Sequence, residues 1–336
     1  MSELSVTPAP ILEVAAGLWA AGVLKSSIEL KIFDHLSAGP QDVAVLSHTL
    51  SADPVSLQIV LDALVALGFV AKQAQRYALT DVSSQFLVSS QPTYLGALVA
   101  DNANSAAVFD VCKDYRRVVT EGYRLDPWAY SVGSNERVAH LTRNLFTLGY
   151  PAAHAIADHL GWTPGKATAL QLLDVGCGSA VYGLVALSRL PQAWLTAQDW
   201  PAVLPVAQEF ATQLGVVERM QTLSGDLRTV GFGGPYDAVF LGHILHNYPE
   251  ATCREILGKC VRVLAPGGCL IAIEFLAEPG RPESTFSWLF SAMIHGTRDG
   301  RSFSAAEIRQ MLTACGATRT EVGGGLPVGF VVGHRS

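Results

Sequence analysis

The chain has 336 residues, 49% of them hydrophobic and 15% charged, with a formal net charge of -6. That is long enough for two domains with separate cores, no apolar run reaches the ~20 residues a bilayer-spanning helix needs, and the densest basic stretch, Lys113 with Arg116 and Arg117, is interrupted by Asp114, which argues against a nucleic-acid partner. Six scattered cysteines without a C-x-x-C pair point to reduced thiols in a cytoplasmic protein.

The first hundred residues read as helices followed by a short hairpin. Ile11 to Leu24 is apolar, interrupted by Glu13 and closed by Lys25. It lacks a basic region before it and so is not read as a signal peptide. It is hydrophobic around most of a helical circumference, which predicts burial against a second copy of the chain. Leu24, Ile28, Ile32, Phe33 and Leu36 recur at helical spacing, and Ser37-Ala38-Gly39-Pro40 marks a break. Val43, Val45 and Leu46 open a second helix ending near Leu50. Ser51-Ala52-Asp53-Pro54 caps a third, which carries Leu57, Val60, Leu61, Leu64 and Leu67. Phe69-Val70-Ala71 and Tyr77-Ala78-Leu79-Thr80 then read as two strands around a polar turn. Three helices and a two-stranded wing predict a winged-helix domain over residues 1–100. Its third helix, Pro54 to Leu67, carries Asp62 as its only charge. It therefore cannot supply the phosphate contacts that drive DNA affinity, and dimerisation is the expected role.

Residues 101–160 are expected to form a helical connector that contributes to an acceptor pocket. Val138, Leu141, Leu145, Leu148 and Ile156 repeat at helical spacing. Asn144, Phe146 and Tyr150 are candidates to line that pocket, with plain core packing the alternative for the two aromatics. From residue 161 to 336 strand and helix alternate. The expected strands are Gln171–Val175, Trp194–Gln198, Met220–Leu223, Tyr236–Leu241, Cys269–Glu274 and Gly329–Gly333, with helices such as Val203–Leu214 and Ala251–Val263 between them. This pattern predicts an α/β fold: a doubly wound, mostly parallel, Rossmann-like sheet that binds ligands at the carboxyl ends of its strands.

The chemistry concentrates in Leu172-Leu173-Asp174-Val175-Gly176-Cys177-Gly178-Ser179-Ala180. An apolar strand ends in an acid and turns through two glycines, which let a ligand approach the backbone amides at a helix N-terminus. A second acid, Asp199, ends the next apolar run 21 residues after Gly178, where a carboxylate that holds a ribose is expected. A dinucleotide fingerprint would read GxGxxG. Here the acid precedes the glycines, so Asp174 favours a cationic ligand over a diphosphate, and no GxxxxGK[ST] stretch is present. S-adenosylmethionine fits, with its sulfonium, amino group, ribose and adenine.

With these motifs in hand, the chain resembles the two-domain small-molecule O-methyltransferases of the caffeic acid and hydroxyindole (acetylserotonin) type, in their bacterial branch. The resemblance covers nearly the whole chain. It rests on the glycine loop, on Asp199-Trp200-Pro201-Ala202-Val203, on Gly225-Asp226-Leu227, on Ile244-Leu245-His246-Asn247-Tyr248, and on Gly300-Arg301-Ser302-Phe303-Ser304. It implies an S-adenosylmethionine site built from Asp174, Gly176, Gly178, Asp199, Trp200, Gly225, Asp226 and Leu227. It further implies that His246 is a general base taking a hydroxyl proton, and that Glu274, 28 residues on, orients that imidazole by its second nitrogen. His243, Asn247 and His295 join Asn144, Phe146 and Tyr150 as candidate acceptor contacts. A zinc or iron site on His243, His246 and His295 is conceivable, but their spacing matches no recognised ligand set, so no metal is assigned. The expected partners are a small-molecule acceptor and a second copy of the chain, with neither nucleic acid nor membrane.

Several positions depart from the family pattern. Ala180 replaces the third glycine of the loop, Asn247 replaces an aspartate, Gly242 stands where plant members carry a lysine, and Ser302 where they carry a second glutamate. These departures leave C- or N-methylation, or non-methyl chemistry on the same fold, as alternatives to O-methylation. A ligand-sensing winged-helix protein is the alternative outside enzymes, disfavoured by the missing basic residues.

Overall fold

A computed structural model describes residues 7–104, 111–122, 135–297, 299–325 and 327–336, with side chains left out for 101–104 and 135–140; the predicted core position Val138 lies outside the described side chains. The chain divides into two compact units, Met1–Ser105 and Ala106–Ser336.

In the first unit, α1 (Ala9–Ala15) and α2 (Gly17–Glu29) carry the apolar N-terminal run. They are two helices bent by 46° rather than one. The break falls at Ala16–Gly17, where glycine weakens helical continuity. Ile11, Leu12, Val14, Leu18 and Trp19 are all exposed, Trp19 by 73%. A second break follows at Lys31, which adopts a left-handed φ of 57°, so α3 (Ile32–Leu36) is separate. The helices α4 (Val43–Leu50) and α5 (Pro54–Ala66) start where Asp42 and Asp53 accept hydrogen bonds from the Val45 and Ser56 amides at 2.9 and 2.8 Å, caps worth about 1 kcal/mol each. The strands β1 (Gln41–Asp42), β2 (Val70–Gln73) and β3 (Arg76–Leu79) form a small antiparallel sheet in the order β1-β3-β2. Ile32, Phe33, Leu46, Leu61, Leu64 and Tyr77 are the centre of the core. Asp62, the single charge of α5, is tied to the hairpin through Lys72 at 2.6 Å and the Tyr77 hydroxyl at 2.7 Å. Among the described residues, no single helix is long and apolar enough to cross a membrane.

The second unit is built on a seven-stranded sheet. Its strands are β4 (Gln171–Val175), β5 (Trp194–Asp199), β6 (Met220–Ser224), β7 (Tyr236–Gly242), β8 (Leu264–Phe275), β9 (Arg319–Gly324) and β10 (Val328–His334). The order is β6-β5-β4-β7-β8-β10-β9, parallel from β6 through β8, with β10 antiparallel to both of its neighbours. The central strands read as near-continuous apolar runs because helices cover both faces. Leu172, Leu195, Phe240 and Ile271 face one core; Leu173, Val239, Leu241 and Leu270 face the other. The chain leaves β4 toward β5 on one side and returns to place β7 on the other, which makes the carboxyl ends of β4 and β7 the topological switch point of the sheet.

All six strands expected from the sequence are present. β9 is the addition: Arg-Thr-Glu-Val-Gly-Gly is polar, lies at the sheet edge and has three of its six residues exposed and none buried, so it has no apolar pattern to reveal it. The tight turn expected at Ala265–Gly268 is a bulge carried inside β8: Leu264 pairs with Tyr236, and the ladder resumes with Cys269 opposite Ala238. Gly267 takes a φ of 78° there, and a side chain on Gly268 would press on the Tyr236 and Asp237 carbonyls at 3.0 Å. All six cysteines are unpaired, and burial pushes the thiols of Cys253, Cys260 and Cys269 up to about 12.

Candidate active site

The glycine loop runs from the end of β4 into α10 (Val181–Arg189). Gly176, Gly178 and Ala180 all adopt left-handed φ angles, of 61°, 57° and 55°. Glycine does this at no steric cost, whereas Ala180 carries a Cβ in that conformation and is fully buried. The loop is laced to the next strand. The Gly176 amide donates to Gln198 Oε1 at 3.2 Å and the Gly178 amide to Asp199 Oδ2 at 2.8 Å. Trp200 N–H donates to Asp199 Oδ1 at 2.7 Å, and Gln198 Nε2 donates to the Gly225 carbonyl at 2.7 Å. Asp199 is thus fixed by one amide on each oxygen and keeps lone pairs for hydroxyl donors. Burial raises its carboxyl above the usual range, against the two amides.

Asp174 sits differently from a loop-lining acid. It is 1% exposed, and its Oδ2 accepts from the Gly183 amide at 3.2 Å inside the first turn of α10. Burial pushes its carboxyl well above the ordinary value. Asp226 is paired with Arg228 at 2.6 Å, which holds its carboxyl below the usual range. Leu227 is buried in the core beside Gly225, and the Trp200 indole is exposed.

On the other side of β4, β7 ends at Gly242 and the chain turns through His243 into a single 3-10 turn, Leu245–Asn247. His246 is 6% exposed, and its Nδ1 lies 2.6 Å from Glu274 Oε2, near the end of β8. The other oxygen of Glu274 accepts from the Leu245 amide at 2.8 Å and the His246 amide at 3.3 Å. Glu274 is 1% exposed. Burial alone would raise its carboxyl, but the His246 imidazole and these hydrogen bonds together hold it below the usual range. A carboxylate on Nδ1 keeps the proton there and leaves Nε2 as the free acceptor.

An aromatic wall surrounds this pair. Phe290, on α13 (Thr285–Thr297), meets the His246 ring edge-on at 4.9 Å. Phe275 packs on Phe290 at 4.7 Å and on Phe286 at 5.1 Å. The sequence reading missed all three. The available signal was Phe275 directly after Glu274, with Phe286 and Phe290 four apart on one helical face.

The other candidates fall as follows. His243 has a φ of 57°, donates its amide to Ile273 O at 2.8 Å, and stands with its ring 4.6 Å from Phe275. Burial lowers its pKa to about 4, and its buried Nδ1 has no partner among the described residues. The Asn247 amide donates to the His243 and Ile244 carbonyls at 3.1 and 3.2 Å, bracing the turn. His295 lies 3.4 Å from the Gly300 carbonyl. Gly300 packs so closely that an added Cβ would sit 1.9 Å from the His246 carbonyl oxygen. Asn144, Phe146 and Tyr150 lie on α9 (Asn135–His159). Phe146 stacks on Phe210 of α11 (Leu204–Gln213) at 4.0 Å, and Tyr150 lies 5.8 Å from Phe146 and edge-on to His154. For metals, the group that converges among the described residues is His243, His246 and Glu274, with ligand atoms within 4.8 Å of one another, rather than the three histidines.

A doubly wound sheet thus carries a glycine loop tied to a strand-end acid, and a histidine–glutamate pair, at the carboxyl ends of β4, β5 and β7, the arrangement expected of a small-molecule transferase. The O-methyltransferase domain matches residues 167–318, and the O-methyltransferase dimerisation domain matches residues 12–89. The chain belongs to this O-methyltransferase family. It is 28% identical over 324 residues to the 3-hydroxy-5-methyl-1-naphthoate 3-O-methyltransferase of Streptomyces sahachiroi, covering 93% of this chain and 91% of that one. It is 26% identical over 304 residues to the N,N-dimethyltransferase OxyT of Streptomyces rimosus, covering 88% and 86%. Its fold matches the crystal structure of human N-acetylserotonin methyltransferase in complex with SAM over the whole of both chains, with a TM-score of 0.82 at 19% identity.

Proposed function

We propose that this enzyme methylates a hydroxyl of an aromatic or polyketide-like metabolite in secondary metabolism, with His246 as the general base. The carrying observation is the 2.6 Å contact between His246 Nδ1 and the buried Glu274 carboxylate, set within the Phe275, Phe286 and Phe290 wall. An apolar aromatic body fits such a wall, leaving its hydroxyl to meet His246 Nε2.

The residues present fit S-adenosylmethionine. Asp199 keeps lone pairs for ribose hydroxyls, the Gly176 and Gly178 turn carries no side chain of its own, and Gly225 and Trp200 both bond to Asp199 through their amides; we assign these two, with Asp226 and Leu227, to the adenine. When bound, the cofactor supplies an electrophilic methyl on a positively charged sulfur. His246 Nε2 accepts the acceptor hydroxyl proton as attack proceeds. Glu274 keeps Nδ1 protonated and stabilises the imidazolium that results. We assign His243, Asn247, His295, Asn144, Phe146 and Tyr150 to the surroundings of the acceptor, with residues 101–160 as a helical connector that contributes to its pocket.

The N-terminal winged-helix-like unit is assigned to homodimer formation, because its α1 and α2 expose Ile11, Leu12, Val14, Leu18 and Trp19, and the enzyme to the cytoplasm. Incubation of purified protein with S-adenosylmethionine and a panel of phenols and naphthols, followed by product mass, tests the reading; methyl incorporation on carbon or nitrogen alone would replace it. N-methylation is the second reading. A relative matched over most of both chains is an N,N-dimethyltransferase, and the same base could serve an amine.

A further inference from the structure

The aromatic ring of Tyr182, the second residue of α10, fills the space left by the missing side chain of Gly242. A Cβ built on Gly242 would lie 2.4 Å from Tyr182 Cε2 and 2.9 Å from Cδ2. On the α9 side, a Cβ on Gly149 would come within 3.4 Å of the Tyr182 hydroxyl. The ring stacks 6.4 Å from Phe240 and lies 6.4 Å from the His243 ring. Tyr182 is therefore held at the junction of the glycine loop and the end of β7, between two positions that both lack a side chain. Its hydroxyl is buried and has no hydrogen-bond partner among the described residues. Buried tyrosine hydroxyls ordinarily find a partner, and one that lacks it needs an explanation.

The topology supplies a ligand. Asp199 ends β5 on one side of β4, and His246 follows β7 on the other. A cofactor with its ribose at Asp199 and its methyl toward His246 crosses the carboxyl end of β4, where α10 begins. Of its three arms, the amino-acid arm is the one without an assigned contact. We propose that the Tyr182 hydroxyl holds the amino-acid end of bound S-adenosylmethionine, and that Gly242 is small so that this ring can reach it. This rests on the cofactor placement given above. Burial and the nearby Asp174 and Glu274 carboxylates keep the hydroxyl protonated, so it serves as a neutral donor.

The test is Tyr182→Phe in the full chain, which keeps the ring and removes one oxygen. Calorimetry with S-adenosylmethionine, S-adenosylhomocysteine and methylthioadenosine, which lacks the amino-acid arm, reads the contact directly. We expect about a 10-fold or greater loss of affinity for the first two and an unchanged affinity for the third. The ligand-free melting temperature should hold or rise, because no protein partner is lost. Unchanged S-adenosylmethionine affinity overturns the proposal. So does an equal loss for methylthioadenosine, which would make Tyr182 a wall of the nucleoside site. A lower ligand-free melting temperature also overturns it, by exposing an internal partner such as a buried water. Wild-type protein that binds neither S-adenosylmethionine nor S-adenosylhomocysteine would instead remove the cofactor placement on which the proposal stands.

Discussion

Replacing Glu274 by glutamine changes one oxygen to an amide nitrogen and almost nothing in volume, which makes it the sharpest probe of the base. Glu274 accepts three N–H groups: the Leu245 amide at 2.8 Å, the His246 amide at 3.3 Å and His246 Nδ1 at 2.6 Å. A glutamine can keep its carbonyl oxygen on the two backbone amides. Its NH2 then faces Nδ1, which must become an acceptor, and the imidazole proton moves to Nε2. The nitrogen that should take the acceptor proton is then already protonated. Loss of a positioned base costs ~10²–10⁴-fold in rate, so we expect kcat to fall by that order in Glu274→Gln and in His246→Ala. If the two residues act as one unit, the double variant should be no slower than either single one. Single-turnover rates on the enzyme's own acceptor, with S-adenosylmethionine affinity measured alongside, read this out. Affinity for the cofactor should barely move. Near wild-type turnover in His246→Ala would refute the general-base reasoning and favour a reaction driven by proximity alone.

Asp199→Ala should weaken S-adenosylmethionine binding by about 1.5–3 kcal/mol, the worth of hydrogen bonds to a charged acceptor, and calorimetry that finds unchanged affinity would remove Asp199 from the ribose site. Gly300→Ala should lower kcat at least tenfold with cofactor affinity intact, since a Cβ there would lie 1.9 Å from the His246 carbonyl oxygen and must displace the base; wild-type kcat would show that the loop yields instead. Light scattering of the full-length protein at micromolar concentration should give a dimer, and a well-behaved monomer would count against the exposed α1 and α2 faces as the interface. His243 is held neutral, its pKa lowered to about 4 in the folded protein, against ~6.5 for a histidine in an unfolded chain. Between those values the unfolded state binds more protons, so its contribution to stability is present above ~6.5 and is lost as pH falls toward 4, by about 1–3 kcal/mol. Glu274, held below the usual carboxylate range, and Asp174, pushed above it by burial, add pH dependences of opposite sign. The difference in denaturant stability between wild type and His243→Asn isolates the effect, and a difference that does not change with pH would refute it.

The catalytic sheet was legible because its strands are buried on both faces and therefore read as apolar runs, and because Gly176, Gly178 and Asp199 sit at a spacing fixed by the βαβ crossover. β9 was not legible, because an edge strand with half its residues exposed has no reason to be apolar. The bend at Ala16–Gly17 was hidden by an apolar run that continues straight through it. In the site, Glu274 could be found by its place near the end of a strand next to that of the base. Phe286 and Phe290 could not, because their approach to His246 depends on how α13 lies over the end of β8. The buried setting of Asp174 was equally hidden: sequence places the acid beside the loop but says nothing of which side of the backbone its carboxylate takes.

The departures from the family pattern carry less weight against a base mechanism in the structure than in the sequence. Gly242 lacks a side chain, and the Tyr182 ring occupies the space one would need. Asn247 spends its amide on the His243 and Ile244 carbonyls, so it holds the turn that presents His246. Ser302 is buried, with its amide donating to Ser291 Oγ at 3.0 Å. Its neighbour Arg301 ties the Gly300 loop to Glu307 at 2.7 Å, on the first turn of the helix Ala305–Ala314. Each substitution thus falls on the supports around His246 and Glu274. The 2.6 Å contact between those two side chains is formed without any group from positions 242, 247 or 302. A base role for His246 needs one carboxylate on Nδ1, and Glu274 stands there while accepting two backbone amides. Under the proposed reading a base placed this way suits a hydroxyl and an amine alike, which leaves the choice of acceptor to the Phe275, Phe286 and Phe290 wall beside it.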